Sequence, residues 1–92
     1  MKIRICGILH TVVECEDKFN ADATHYGQID HKHCEILINK DMSEENKKET
    51  LCHEIMHGIF VHLGYNDYAN DEQLVQALGN AIYQTFDIRT ED

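Results

Sequence analysis

Proline is absent from this 92-residue chain, and no repeat, low-complexity block or linker-like stretch interrupts it. The expectation is one domain over residues 1–92, with a core near the lower practical limit for independent stability. Basic residues are scarce: 8 Lys and Arg face 17 Asp and Glu, for a formal charge of −9. Nucleic-acid binding needs a basic stripe, and the only adjacent basic pair, Lys47-Lys48, follows acids. The acidity reads instead as solubility, with some steering of basic substrate segments. No apolar run reaches membrane-spanning length, and no charged-then-apolar leader with a cleavage site opens the chain. These absences predict a cytoplasmic protein with neither membrane nor nucleic acid as partner. Cys6, Cys15, Cys34 and Cys52 are even in number but contain no C-x-x-C spacing. With no secretion signal they are expected as free thiols, Cys6 and Cys52 packing as small hydrophobes.

What the chain does have is His53-Glu54-Ile55-Met56-His57. Residues i and i+4 of an α-helix lie above one another, so His53 and His57 can grip one metal ion. Zn2+ suits two neutral imidazoles in tetrahedral geometry, and Glu54 is the residue type that deprotonates a metal-activated water. With this many His and Glu, the pattern arises by chance in roughly one chain in twenty of this composition, so its context has to decide.

The context is helical. Ser43 followed by Glu44 and Glu45 reads as an N-cap with acids in the first turn, and Glu44 with Lys48 gives an i,i+4 pair. Leu51, Cys52, Ile55, Met56, Ile59, Phe60 and Leu63 keep helical spacing, and Gly64 stands where a left-handed cap belongs. A helix over about 43–63 is predicted, with both histidines just beyond the edge of its apolar arc. Leu74, Val75, Leu78, Ala81, Ile82 and Phe86 predict a second amphipathic helix over about 71–87. Its first turn offers the third ligand that a catalytic zinc needs. Glu72, in line with a Gly79 that permits close approach, is preferred as that ligand. Asp71 is the natural N-cap and the alternative ligand. In the plainer reading, both acids merely complement the helix dipole.

Before these helices, residues 3–9 alternate as a first strand and 11–16 read as a second; the polar residues 17–25 suggest a loop or short turn. Tyr26–Asp30 and Glu35–Asn39 form a hairpin pattern around His31-Lys32-His33, whose small metal-like tract reads as a turn. Strands over about 1–39 followed by two helices predict an α+β domain: a small antiparallel sheet of three or four strands packed on the helices. Glu35–Asn39, immediately before the metal helix, is the candidate strand for pairing with an extended peptide, or else an ordinary inner strand.

Three stretches together carry a family resemblance: Tyr26-Gly27-Gln28-Ile29-Asp30, then Ile36-Leu37-Ile38-Asn39, then Thr50-Leu51-Cys52-His53-Glu54-Ile55-Met56-His57-Gly58-Ile59. With the acid-led helix from Asn70 to Tyr83, they resemble the small ImmA/IrrE-like gluzincin metallopeptidases, more closely their compact phage- and prophage-encoded relatives. The resemblance covers roughly residues 26–86. It implies a minimal zincin-like fold, one Zn2+ per chain on His53, His57 and Glu72, Glu54 as general base, and a protein or peptide substrate. The larger members continue differently after the third ligand, where this chain has Gln73-Leu74-Val75.

The expected activity is hydrolysis of a peptide bond by a metal-activated water. Tyr65 and Tyr68 are candidates for contacting the oxyanion or substrate, while His62, about 140° around the helix from His57, is expected to face the sheet or core. The competing reading is a non-catalytic, zinc-stabilised binding or regulatory module. In that case Cys34 or His33 folding over the metal would close the site.

Overall fold

Cys6 and Gly7 shape the first element. Both have positive φ, 51° and 84°, the backbone demanded by a tight two-residue hairpin turn whose twist matches its strands. The alternating run 3–9 is therefore two strands and not one: β1 (Lys2–Ile5) and β2 (Ile8–Cys15), paired antiparallel. Cys6 sits exposed in the turn instead of packing as a hydrophobe, whereas Cys52 is buried; all four cysteines are free thiols. The computed structural model describes residues 1–16 and 26–91. The loop expected at 17–25 lies outside those residues.

β3 (Gly27–Asp30) and β4 (Glu35–Asn39) form the expected hairpin. The order in the sheet is β1-β2-β4-β3. β4 thus lies between β2 and β3, and it pairs with β2 in parallel. This corrects the expectation of an antiparallel sheet; the sheet is mixed. Burial is the reason. Ile36, Ile38 and Asn39 of β4 are buried, whereas Gln28 and Asp30 of β3 are not. The more apolar strand takes the inner position, and the polar one is left at the edge.

Three helices follow: α1 (Glu44–His62), the single turn α2 (Asn66–Ala69), and α3 (Glu72–Thr85). Ser43 caps α1, accepting from the Asn46 N–H at 3.1 Å. Leu63 closes α1 and Gly64 follows at φ 85°. Glu44 pairs with Lys47, not Lys48, and Lys47 also reaches Glu14 at 2.6 Å, tying the end of β2 to α1. α2 falls in what the sequence presents as an inter-helix loop. None of the described helices is long and apolar enough to cross a membrane.

The α+β architecture is layered: sheet, then α1, then α3, which packs on α1 and not on the sheet. Leu51 and Ile55 join Ile3, Ile5, Val12, Ile36 and Ile38 in the core between α1 and the sheet. Cys52, Met56, Ala69 and Val75 are also buried, on the helices that pack against one another. The apolar arc of α1 is thus divided between two layers. His62 turns to the sheet side, its Nε2 3.4 Å from Nε2 of the fully buried His10.

The α1–α3 crossing is close. A Cβ on Gly79 would lie 3.1 Å from both the N and the Cα of His53. Those are backbone atoms of a packed helix and cannot swing aside. Gly79→Val is expected to lower the unfolding free energy of the metal-free protein by about 2 kcal/mol, read from urea melts. An unchanged midpoint would mean that the two helices separate without cost.

Candidate metal centre

α1 forms the floor of a cavity of about 670 Å³. Thr50, His53, Glu54 and His57 rise from that floor, β3 supplies one wall with Gly27, Gln28 and Ile29, and α3 supplies the other with Glu72 and Gln76. β4, considered as a peptide-pairing strand, is hydrogen-bonded on both sides and has no free edge. The strand at the cavity is β3. Among the described residues it is paired only with β4.

Both histidines are held in one tautomer. His53 donates from Nδ1 to Oε1 of Gln76 at 2.7 Å, and His57 donates from Nδ1 to the carbonyl of Ala69 at 2.7 Å. Each Nε2 therefore presents a lone pair, and the two Nε2 atoms are 3.2 Å apart. Glu72 brings its carboxylate to 3.2 Å from His53 Nε2 and 3.1 Å from His57 Nε2. Three electron-rich atoms at this spacing repel one another unless a positive charge lies among them. Zn–N bonds of about 2.0–2.1 Å in tetrahedral geometry separate ligand atoms by about 3.3 Å, so the spacing suits a metal ion. His53, His57 and Glu72 are the described group of this kind, with ligand atoms all within 4.8 Å of one another.

Asp71 is engaged elsewhere. Its side chain accepts from the Leu74 N–H at 3.1 Å and caps α3, which leaves Glu72, the first residue of the helix, to face the histidines. Gln76 follows Glu72 by one helical turn on the same face. It is fixed by donating to Oε1 of Glu49 at 3.0 Å and Oδ1 of Asn80 at 3.1 Å. Such partners behind a metal ligand set its orientation and basicity.

Glu54 is buried, 7 % exposed. Burial chiefly, and then the nearby charge of Glu72, push its carboxyl up to about 7. In the metal-free protein it therefore holds its proton well above the usual carboxylate range.

The other singled-out residues lie apart from the triad. Tyr65 and Tyr68 are 54 % and 51 % exposed and stack in a row with Phe60; neither lines the cavity. His33 folds back onto Asp30, its Nδ1 2.8 Å from Oδ2, and the hydrogen bond holds the Asp30 carboxyl below its usual range. Cys34 directs its thiol to the carbonyl of His31. Neither His33 nor Cys34 covers the triad. His31, by contrast, lines the cavity although the sequence places it in a surface turn.

The model of a peptidase family described as the IrrE N-terminal-like domain matches residues 10–83. The chain belongs to that family. No curated protein and no solved structure matches it. The match spans β2 through nearly all of α3 and so includes every residue of the triad, Glu54 and the β3 wall.

Two measurements follow from this geometry. Gln76→Ala is expected to weaken Zn2+ affinity by roughly 10–100-fold with the fold intact, read by chelator competition; unchanged affinity would make Gln76 a bystander. Glu54 sets a pH dependence. Its folded pKa of about 7 lies above the ordinary 4.5, so the unfolded chain loses the proton first as pH rises. Stability of the metal-free protein should therefore fall between about pH 4.5 and 7, by about 3 kcal/mol in all. Glu54→Gln lacks this loss, so its advantage over the wild type should grow from near zero at pH 4 to about 3 kcal/mol at pH 8. A constant difference in urea melts across that range would show that Glu54 carries no such shift.

Proposed function

We propose that the chain is a zinc-dependent peptidase, with His53, His57 and Glu72 as ligands and Glu54 as general base. One observation carries the reading: three convergent ligand atoms and a buried, proton-hungry carboxyl face the same open cavity beside the sheet edge. A purely structural site has no need of that carboxyl and usually closes with four protein ligands. When bound, the metal would supply Lewis acidity, lowering the pKa of water and polarising a carbonyl.

The protein's own groups do the rest. Glu54 takes the proton of the attacking water and returns it to the leaving amine, from its place between the two histidine ligands on the cavity floor. Gln76 and the Ala69 carbonyl keep both imidazoles in the tautomer that leaves Nε2 available. β3 offers main-chain groups along the cavity, where an extended peptide can add as a further strand. This pairing positions the scissile bond over α1, so the substrate class is an unfolded or extended segment of protein. The expected setting is the cytoplasm.

The test combines elemental analysis with hydrolysis of a pool of internally quenched peptides. Wild type should hold about one Zn2+ per chain after mild dialysis. Glu72→Ala should lose it, while Asp71→Ala should keep it and lose only about 1 kcal/mol of cap stability. Glu54→Gln should keep the metal and abolish hydrolysis. Metal retained by Glu72→Ala but lost by Asp71→Ala would reassign the ligand. Undiminished hydrolysis by Glu54→Gln would remove the base.

A further inference from the structure

The proposed reaction places negative charge on the carbonyl oxygen of the scissile bond, and a donor fixed in the protein is the means of stabilising it. The aromatic row formed by Tyr65, Tyr68 and Phe60 lies outside the cavity lining, so neither tyrosine is placed for this. We propose that His31 is that donor, a catalytic residue whose Nε2–H hydrogen-bonds the scissile carbonyl oxygen as the tetrahedral species forms. The assignment rests on the peptidase reading above and names a further group in the same site.

Position is the first argument. His31 begins the β3–β4 turn and lines the cavity together with His53, Glu54, His57 and Glu72. It is absent from the set of ligand atoms within 4.8 Å of one another, so it stands beside the triad without belonging to it. A group that lines this cavity from the β3 side, outside the ligand set, is available to a substrate carbonyl held there.

Protonation is the second. Nδ1 of His31 is buried and has no hydrogen-bond partner among the described residues. An orphaned buried N–H is more costly than an orphaned lone pair, so the neutral ring keeps its proton on Nε2. Nε2 is then the nitrogen left for the cavity, and it is a donor. Burial first, and then the neighbouring His57, His62 and His10, push the His31 pKa down and keep the ring neutral. A cation at the triad acts in the same direction.

Rigidity is the third. Asp30 accepts from the His33 backbone N–H at 3.0 Å, and the Thr11 N–H donates to the Cys34 carbonyl at 3.0 Å. The turn that carries His31 is thus fastened to β2 and closed on itself. A donor held in advance costs no reorganisation when charge develops.

The test compares zinc-loaded wild type, His31→Phe, which keeps the ring without a donor, and His31→Gln, whose amide N–H takes the place of Nε2–H. Zinc content is measured first. Calorimetry then gives the affinity for two probes: a Gly-Leu-Ala phosphonamidate, which carries a tetrahedral anionic centre at the scissile position, and 2-mercaptoethanol, which only ligates the metal. All three proteins should hold one zinc and bind the thiol alike. His31→Phe should bind the phosphonamidate about 10²–10³-fold more weakly, and His31→Gln should recover at least about tenfold of that loss. Equal phosphonamidate affinity in His31→Phe and wild type would overturn the donor role. Loss of zinc from both variants would also overturn it, making His31 a ligand. A zinc-loaded wild type that binds neither probe would remove the peptidase reading itself, and the donor role with it.

Discussion

Everything at this centre depends on how closely α3 lies against α1. The two helices meet at Gly79, where a single added carbon would press on the His53 backbone at 3.1 Å. Glu72 and Gln76 are carried on α3, and His53 and His57 on α1. The separation of the helices therefore sets both the 3.1–3.2 Å gaps from Glu72 to the imidazoles and the hydrogen bond that fixes the His53 tautomer. A packing constraint and a coordination geometry are here the same distance. The sheet on the opposite side of α1 makes this possible, because a helix supported on both faces cannot yield to relieve strain.

The same arrangement explains what was legible in the residues. His53, Glu54 and His57 were readable because helical periodicity places them on one face whatever the tertiary fold. Glu72 was separable from Asp71 because an N-cap and the next residue point differently, and Gly79 marked the side of close approach. The α+β class was readable from the order of patterned segments, and the family from its resemblance in the stretches 26–30, 36–39, 50–59 and 70–83. The middle of the sheet was not. The parallel β2–β4 pairing depends on which strand is buried most deeply, a comparison among strands and not a property of any one of them. The run 3–9 looked continuous because apolar residues stand on both sides of the turn. The turn flips the phase, however, burying His10 opposite Ile3 and exposing Leu9; only the glycine at position 7 hinted at the break.

The supporting groups divide in the same way. The Ala69 carbonyl that orients His57 has no sequence signature, since every residue carries one. Gln76 did leave a trace, standing one turn beyond Glu72 on the same face of α3. His31 was hidden by its neighbours. Within His31-Lys32-His33 the turn geometry sends His33 outward to Asp30 and His31 inward to the cavity, and composition treats the two alike.

A chain of this size has little apolar burial to spare, yet it buries Glu54 in a setting that resists ionisation. In the metal-free protein, that carboxyl and the three converging ligand atoms both work against folding at neutral pH. A divalent ion bound by these residues would reverse both effects at once. It would give the lone pairs of His53 and His57 and the charge of Glu72 a common partner, and it would lower the cost of ionising Glu54. Because the unfolded chain has no such site, the binding energy adds to folding energy. On the proposed reading, the features that weaken the metal-free fold are those that would make the metal-bound one reactive, and metal occupancy would govern stability and chemistry through the same four side chains.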